Sequence, residues 1–323
     1  MALTVRTLGL SALAAGLLVT GAARAEYPDQ PIRMVVAYPP GGATDVVARA
    51  VALRLGERLK QSVVVDNRPG ASGQIGSDSV AKSAANGYTL IFTAADTHSI
   101  NPHVYPKIAY DARRDFVPVA QVGYLPIALI VHPSVKAANA QEFMNLVRSQ
   151  PGKSTFASFG TGSSSHVAME MLIAEGKLAM LHVPFQGAAP AIAAVMGAQV
   201  DSMMVPLTLA VPNHRAGKVR LIGVAAPVRF AAANDMPTFT EQGVPLVSAP
   251  WIGILAPAKV PQEIVERLNR EVNAALDDPA LQDTLLKNGV ARETRSQAQF
   301  KAFLDDEFER WGKTIRNANI RAE

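Results

Sequence analysis

Three short stretches hold the residues best suited to binding a small anion. They are "PPGGATD" (39–45), "SFGTGSSSH" (158–166) and "VPFQGAAP" (183–190), each placing Gly, Ser, Ala or Pro between an apolar run and a helical pattern. Glycine lets a ligand approach the main chain, and a helix start offers unpaired N–H groups with partial positive charge. Such a junction can cradle a carboxylate or a phosphate. A bare strand-turn-helix junction reads equally as a tight turn with a helix cap, so "PPGGATD" alone decides nothing. Phosphate fits poorly: no GxxxxGK[ST] motif occurs, and "GTGSSSH" has serine where the dinucleotide GxGxxG has its third glycine. Carboxylate is the simpler expectation. Ser163, Ser164 and His166 lie close together but without a GxSxG elbow, so hydrolysis is not expected and His166 is read as a structural histidine. The six histidines show neither HxH nor HxxxH spacing, and no cofactor or metal is expected. Arg68 in "DNRPG" could meet a ligand carboxylate, but ordering its own loop is preferred. Asp45 is read as a helix cap, and Met169, Met171, Met203 and Met204 as core.

Parallel strands and helices would position these loops. "IRMVVAY" reads as a strand buried on both faces, followed by an amphipathic helix with Val47, Val51, Leu55 and Leu59 on one side and Thr44 or Asp45 as its cap. "SVVVDN", a helix opened by Ser72, and "YTLIFTA" complete a strand-helix-strand-helix-strand order. That order predicts a parallel sheet with right-handed crossovers. "IALIVHP", "STFASFG", "MLHVPF", "VDSMMVP" and "VRLIGVAA" predict five further strands, with helices over 140–149, 165–175 and 188–196. "WIGILAPAKVP" gives one more strand, "PQEIVERLNREVNAALDD" a helix, and "SQAQFKAFLDDEFERWGKTI" a last helix with Ser296 and Gln299 at capping-box spacing. If these closing helices return to the first sheet, the chain crosses between two lobes twice, near 123–126 and 249–253. Two crossings make a hinge. In open parallel sheets the ligand crevice lies at the carboxyl ends of the strands, where the loops 39–45, 68–73 and 93–97 fall.

Composition excludes other classes. The chain has 323 residues, enough for two domains, and no cysteine, hence neither disulfides nor thiolate metal sites. Residues 1–25 carry Arg6, the apolar stretch "LGLSALAAGLLVT" and "ARA" before Glu26, the order of a cleaved secretory signal peptide. Removing Arg6 and Arg24 from 31 basic residues leaves 29 against 27 acidic residues, a net charge of +2. The basic residues are scattered, so nucleic acid is not an expected partner. The mature protein is expected in the periplasm, not inserted in a membrane, and monomeric.

Six segments in order, "YPDQPIRMVVAYPPGGATDVVAR", "VVVDNRPGASGQIG", "NPHVYPKIAYDARRDFVPVAQVG", "GTGSSSHVAMEM", "HVPFQGAAPAIAAVMGAQVD" and "GILAPAKVPQEIVERLNREV", resemble the substrate-binding proteins of tripartite tricarboxylate transporters, the Bug family. The resemblance covers residues 26 to 323. It implies an α/β periplasmic binding protein of type II, two Rossmann-like lobes joined by a two-crossing hinge, with lobe 1 at 26–124 plus 250–323 and lobe 2 at 125–249. It also implies a small carboxylate ligand, a two-component membrane permease as partner, and no catalysis. The ligand residues it implies are Tyr38, Pro40, Gly41, Gly42 and Thr44, then Ala71, Gly73, Thr93, Ala94 and Asp96 from lobe 1. From lobe 2 come Gly160, Thr161, Ser163, Ser164, His166, Phe185, Gly187 and Ala188. Many relatives have aspartate where this chain has Val205, which argues against an amino-acid ligand unless Asp96 or Asp201 replaces it. With Arg68 the one arginine in the cradle loops, a mono- or dicarboxylate, aromatic ones included, is favoured over a tricarboxylate. The alternative is a sensing adaptor that docks on a receptor kinase.

Overall fold

The computed structural model describes residues 27–322; the signal-peptide reading of 1–25 lies outside them. Two separate sheets form. The first has the order β11-β4-β10-β3-β1-β2 and the second β7-β6-β8-β5-β9. In the first, β1 (Ile32–Val36) pairs in parallel with β2 (Val63–Asn67) and β3 (Thr89–Ala94), as the alternation of strand and helix requires. The sequence stretch 116–124 had no expected strand, yet β4 (Phe116–Tyr124) is the longest one. It lies beside β10 (Trp251–Pro257), which runs antiparallel to both β3 and β4. β11 (Ala291–Arg292) closes the edge.

The second sheet holds β5 (Ile127–Val131), β6 (Thr155–Ser158), β7 (Leu181–Pro184), β8 (Ser202–Pro206) and β9 (Arg220–Val224). β6 pairs in parallel with β7 and β8, while β5 is antiparallel to β8 and β9. The chain therefore leaves the first sheet at 125–126 and returns at 249–250. The two crossings lie side by side, since the Leu125 N–H bonds the Pro250 carbonyl at 2.9 Å.

Alternation decides which side each strand feeds. Ile32, Met34 and Val36 of β1 join a core with α1 (Ala43–Leu59), α8 (Gln262–Ala275) and α9 (Pro279–Lys287). Val35 and Ala37 face the opposite core, which includes Trp251, Phe300 and helix α2 (Gln74–Ala81). The second sheet is covered on one face by α6 (Ala188–Met196) and α7 (Leu207–Arg215), and on the other by α4 (Ala140–Ser149) and α5 (Ser164–Gly176). α10 (Gln297–Asn317) carries the expected capping box, Ser296 with Gln299. With α3 (Asn101–Val104) and α5 it encloses a small cluster of Ile100, Val104, Val167, Trp311 and Ile315 that joins the two sheets' territories.

Two helix starts differ from expectation. α1 is capped by Gly42, so Thr44 and Asp45 fall inside its first turn, and Ser72 sits in a short 3-10 turn with φ of 54° rather than opening α2. The reading that ran one helix to residue 278 is cut by Asp278, whose side chain caps α9 at Leu281 N–H. No helix among the described residues is long and apolar enough to cross a membrane.

Buried His98 and half-buried His182 give the fold an acid-sensitive component. Burial pushes His98 down to about 3, and burial together with His166 pushes His182 to about 4. Both values lie below the ordinary histidine value near 6.5, so between about pH 6.5 and 4 the unfolded chain binds protons that the folded chain refuses. This stability is present above pH 6.5 and lost as the pH falls. Melting curves are expected to show Tm dropping between pH 6.5 and 4, with a shallower drop in His98→Phe, which keeps the ring packing against Phe116.

Candidate functional site

The carboxyl ends of β1, β2 and β3 face those of β6 and β7 across a cavity of about 800 Å³. In each sheet the strand order reverses at this edge: β2 and β3 flank β1, and β7 and β8 flank β6. That is where open α/β sheets leave a crevice. The volume falls within the usual range for small-molecule sites, about 300–1,000 Å³.

Of the residues expected at the site, Tyr38, Gly73, Asp96, Gly160, Thr161, Ser163 and Phe185 line this cavity together. Others are displaced for identifiable reasons. Thr93 and Val205 are fully enclosed in their sheets and Ala94 nearly so, which puts them out of a ligand's reach. His166 is buried, accepts the Gly162 N–H on Nδ1 at 3.1 Å, and stacks on His182 at 3.8 Å, which makes it a loop-holding group. Pro40, Gly41, Gly42, Thr44, Ala71, Gly187 and Ala188 are not among the residues lining the cavity. The reason is local at Gly41, whose N–H is donated to Asp45 Oδ2 at 2.9 Å. Asp45 also takes Arg49 at 3.0 Å and the Asn67 side chain at 2.8 Å. Burial alone would raise its carboxyl, but these donors hold it below the usual range. "PPGGATD" thus supplies its own anion and uses it to fix the turn that presents Tyr38 and Pro39.

Arg68 likewise pairs with Asp66 at 2.8 Å, in keeping with its loop-ordering reading. The structure adds residues that sequence reasoning missed. Tyr105 lines the cavity and shares a 2.8 Å bond with the Ser72 hydroxyl, and the Asn101 side chain donates to the Ser72 carbonyl at 2.9 Å. Arg321 reaches the wall because the chain after α10 folds back, with the Ala322 N–H on the Val104 carbonyl at 3.1 Å. An isolated arginine beyond the last helix gave no signal of this.

Asp96, just past β3, lies near Ser164, the first residue of α5 on the second-sheet side. Burial raises the Asp96 carboxyl, and the nearby donors, its own N–H and those of Ser164, oppose that shift without cancelling it. The Tyr38 hydroxyl is buried with no bond of normal geometry. Burial first, and then the Asp96 charge, hold its phenol well above the ordinary value. Shifted groups of this kind gather where a protein binds or reacts. Among the described residues no group of three or more His, Asp or Glu could hold a metal ion.

Comparison with known proteins agrees with the fold and the cleft. Residues 47–320 match the model of the family described as "Tripartite tricarboxylate transporter family receptor". Protein BugT of Bordetella pertussis is 33% identical over 297 residues, covering 91% of each chain. Among solved structures, Rpa4515 of R. palustris with adipate superposes with a TM-score of 0.77 at 31% identity, covering 92% of this chain and 100% of that one. MatC from Rhodopseudomonas palustris with bound malate gives 0.73 at 32% identity, covering 90% and 100%. A family match spanning most of the chain, together with two sheets whose strand ends face one cavity, places the chain in the tripartite tricarboxylate transporter receptor family, the periplasmic solute-binding proteins that include the Bug relatives.

Proposed function

We propose that this chain captures a small carboxylate in the cleft between the sheets and hands it to a two-component membrane permease, without chemistry of its own. The observation that carries this reading is the pair of opposed strand-end loops around one cavity, 37–39, 69–73 and 96 on one side and 159–163 and 184–186 on the other. Two lobes, 26–124 plus 250–323 and 125–249, would close about the paired crossings at 125–126 and 249–250. Closure gives a ligand contacts that the open form lacks, and that difference in affinity moves the equilibrium. Adipate and malate in the related structures support a carboxylate class. The exported form, cleaved after residue 25 and monomeric, belongs to the same proposal.

A thermal-shift screen of small carboxylates, each beside its amide, tests it. A ligand at 100 times its Kd stabilises a single site by about 2.7 kcal/mol. A carboxylate that raises Tm while its amide does not is the expected result. Shifts from amines or neutral compounds only would sink the proposal.

A further inference from the structure

A second recess, of about 200 Å³, lies where the chain passes between the two sheets, and it shares no lining residue with the cleft. Tyr124 ends β4 just before the outward crossing, and Val247 and Ala249 lead into the return; all three line the recess, with Pro227 and with Phe303 of α10. Tyr124 and Ala249 are buried and belong to the core of the second sheet, so the space is let into the protein rather than laid on its surface.

The charged residues of this recess are already matched to one another. Glu293 accepts Arg295 Nη2 at 2.9 Å. The buried Glu307 accepts Arg310 Nε at 2.8 Å, Arg310 Nη2 at 2.9 Å and the Trp311 indole N–H at 2.8 Å. Arg310 Nη1 donates to the Val247 carbonyl at 2.8 Å, and Arg295 Nε to Gln121 Oε1 at 2.6 Å while its guanidinium lies over the Phe303 ring at 4.5 Å. An ionised ligand would have to leave water and break one of these pairs, which leaves the other partner as an unmatched charge. The surfaces that remain free for contact are the apolar ones, from Tyr124, Pro227, Val247, Ala249 and Phe303. An apolar cavity of about 150 Å³ is enough to take up benzene. We infer that the recess at the crossings is a second ligand site, separate from the cleft, that takes one uncharged ring of about benzene size.

Two halogenated rings test this on the purified protein. In crystals soaked with bromobenzene, the anomalous signal of bromine locates the ring, and it is expected between Tyr124 and Phe303. In solution, fluorine NMR is expected to show fluorobenzene binding saturably and at least tenfold more tightly than 4-fluorobenzylammonium, which has the same ring and a charge. Ala249→Leu puts three more carbons into the recess and should remove the bromine peak and weaken fluorobenzene at least tenfold. Val247→Phe fills it from the other wall, and since Val247 is 37% exposed this change leaves the core alone, so the test stands if the leucine variant folds poorly. Bromine found only in the cleft or on the surface overturns the inference. So do a peak without saturation in solution, which means binding at crystal concentration only, equal affinity for the charged ring, and unchanged affinity in the folded variants.

Discussion

Gly162→Leu is expected to weaken ligand binding about a hundredfold while leaving a folded protein. Gly162 has φ of 77°, and a Cβ built on it would lie 2.5 Å from Val104 Cγ1. Val104 ends α3 on the first-sheet side, whereas Gly162 leads into α5 on the second. A leucine there must push the two sides apart, separating the loops of one side from a ligand held by the other. Losing one side's contacts, at about 1.4 kcal/mol per factor of ten, is enough for the expected change. The positive φ itself costs about 1–2 kcal/mol of stability for a non-glycine residue. Gly152→Leu isolates that cost, because Gly152 has φ of 73° and nothing within 4 Å of its Cβ position. Kd and Tm measured for both variants distinguish the two effects. Equal affinity in the two variants would mean that closure across Gly162 does not matter to binding.

Trp251→Ala is expected to cost the most stability of any single truncation at the crossings, about 3–5 kcal/mol. The side chain is fully buried at the start of β10, where Trp251 pairs with Tyr124 beside the return crossing. Its ring packs edge-on against Phe300 at 5.8 Å, and its Nε1–H donates to the Ser99 hydroxyl at 3.1 Å. Truncation leaves a cavity and a hydroxyl without its donor. For a protein of this size a loss of that order lowers Tm by roughly 6–20 °C. Trp251→Phe, which keeps most of the volume, should lose clearly less. A Tm change within 2 °C for the alanine variant would show that this core repacks around the gap.

The sequence made the site's outline legible because strand ends and helix starts leave local marks. "VVAYPPGG", "FASFGTG" and "VPFQGAA" each pass from an apolar run to small residues, and each ends at the cleft. β4 escaped notice because Pro118 and Gln121 interrupt its apolar run. In the fold Pro118 stands opposite Leu255, next to a register shift that accommodates its missing N–H, and Gln121 is buried with its carbonyl on Arg295 at 2.6 Å. Those partners come from distant parts of the chain. The same holds for the cleft's charges. Asp45 and Asp96 are equally acidic on paper, yet one is consumed by its own turn and the other lines the cleft. Arg321 reaches the cavity wall only when the chain past α10 folds back. Local pattern located the loops, and only tertiary contact assigned the donors and acceptors.

The most direct test of the account is a crystal structure with the tightest-binding carboxylate from the screen. The expected ligand lies between the β1 and β3 ends and the 159–163 loop, in contact with residues of both sides. A ligand seated elsewhere, for example in the groove between 170–177 and 310–318, would contradict it.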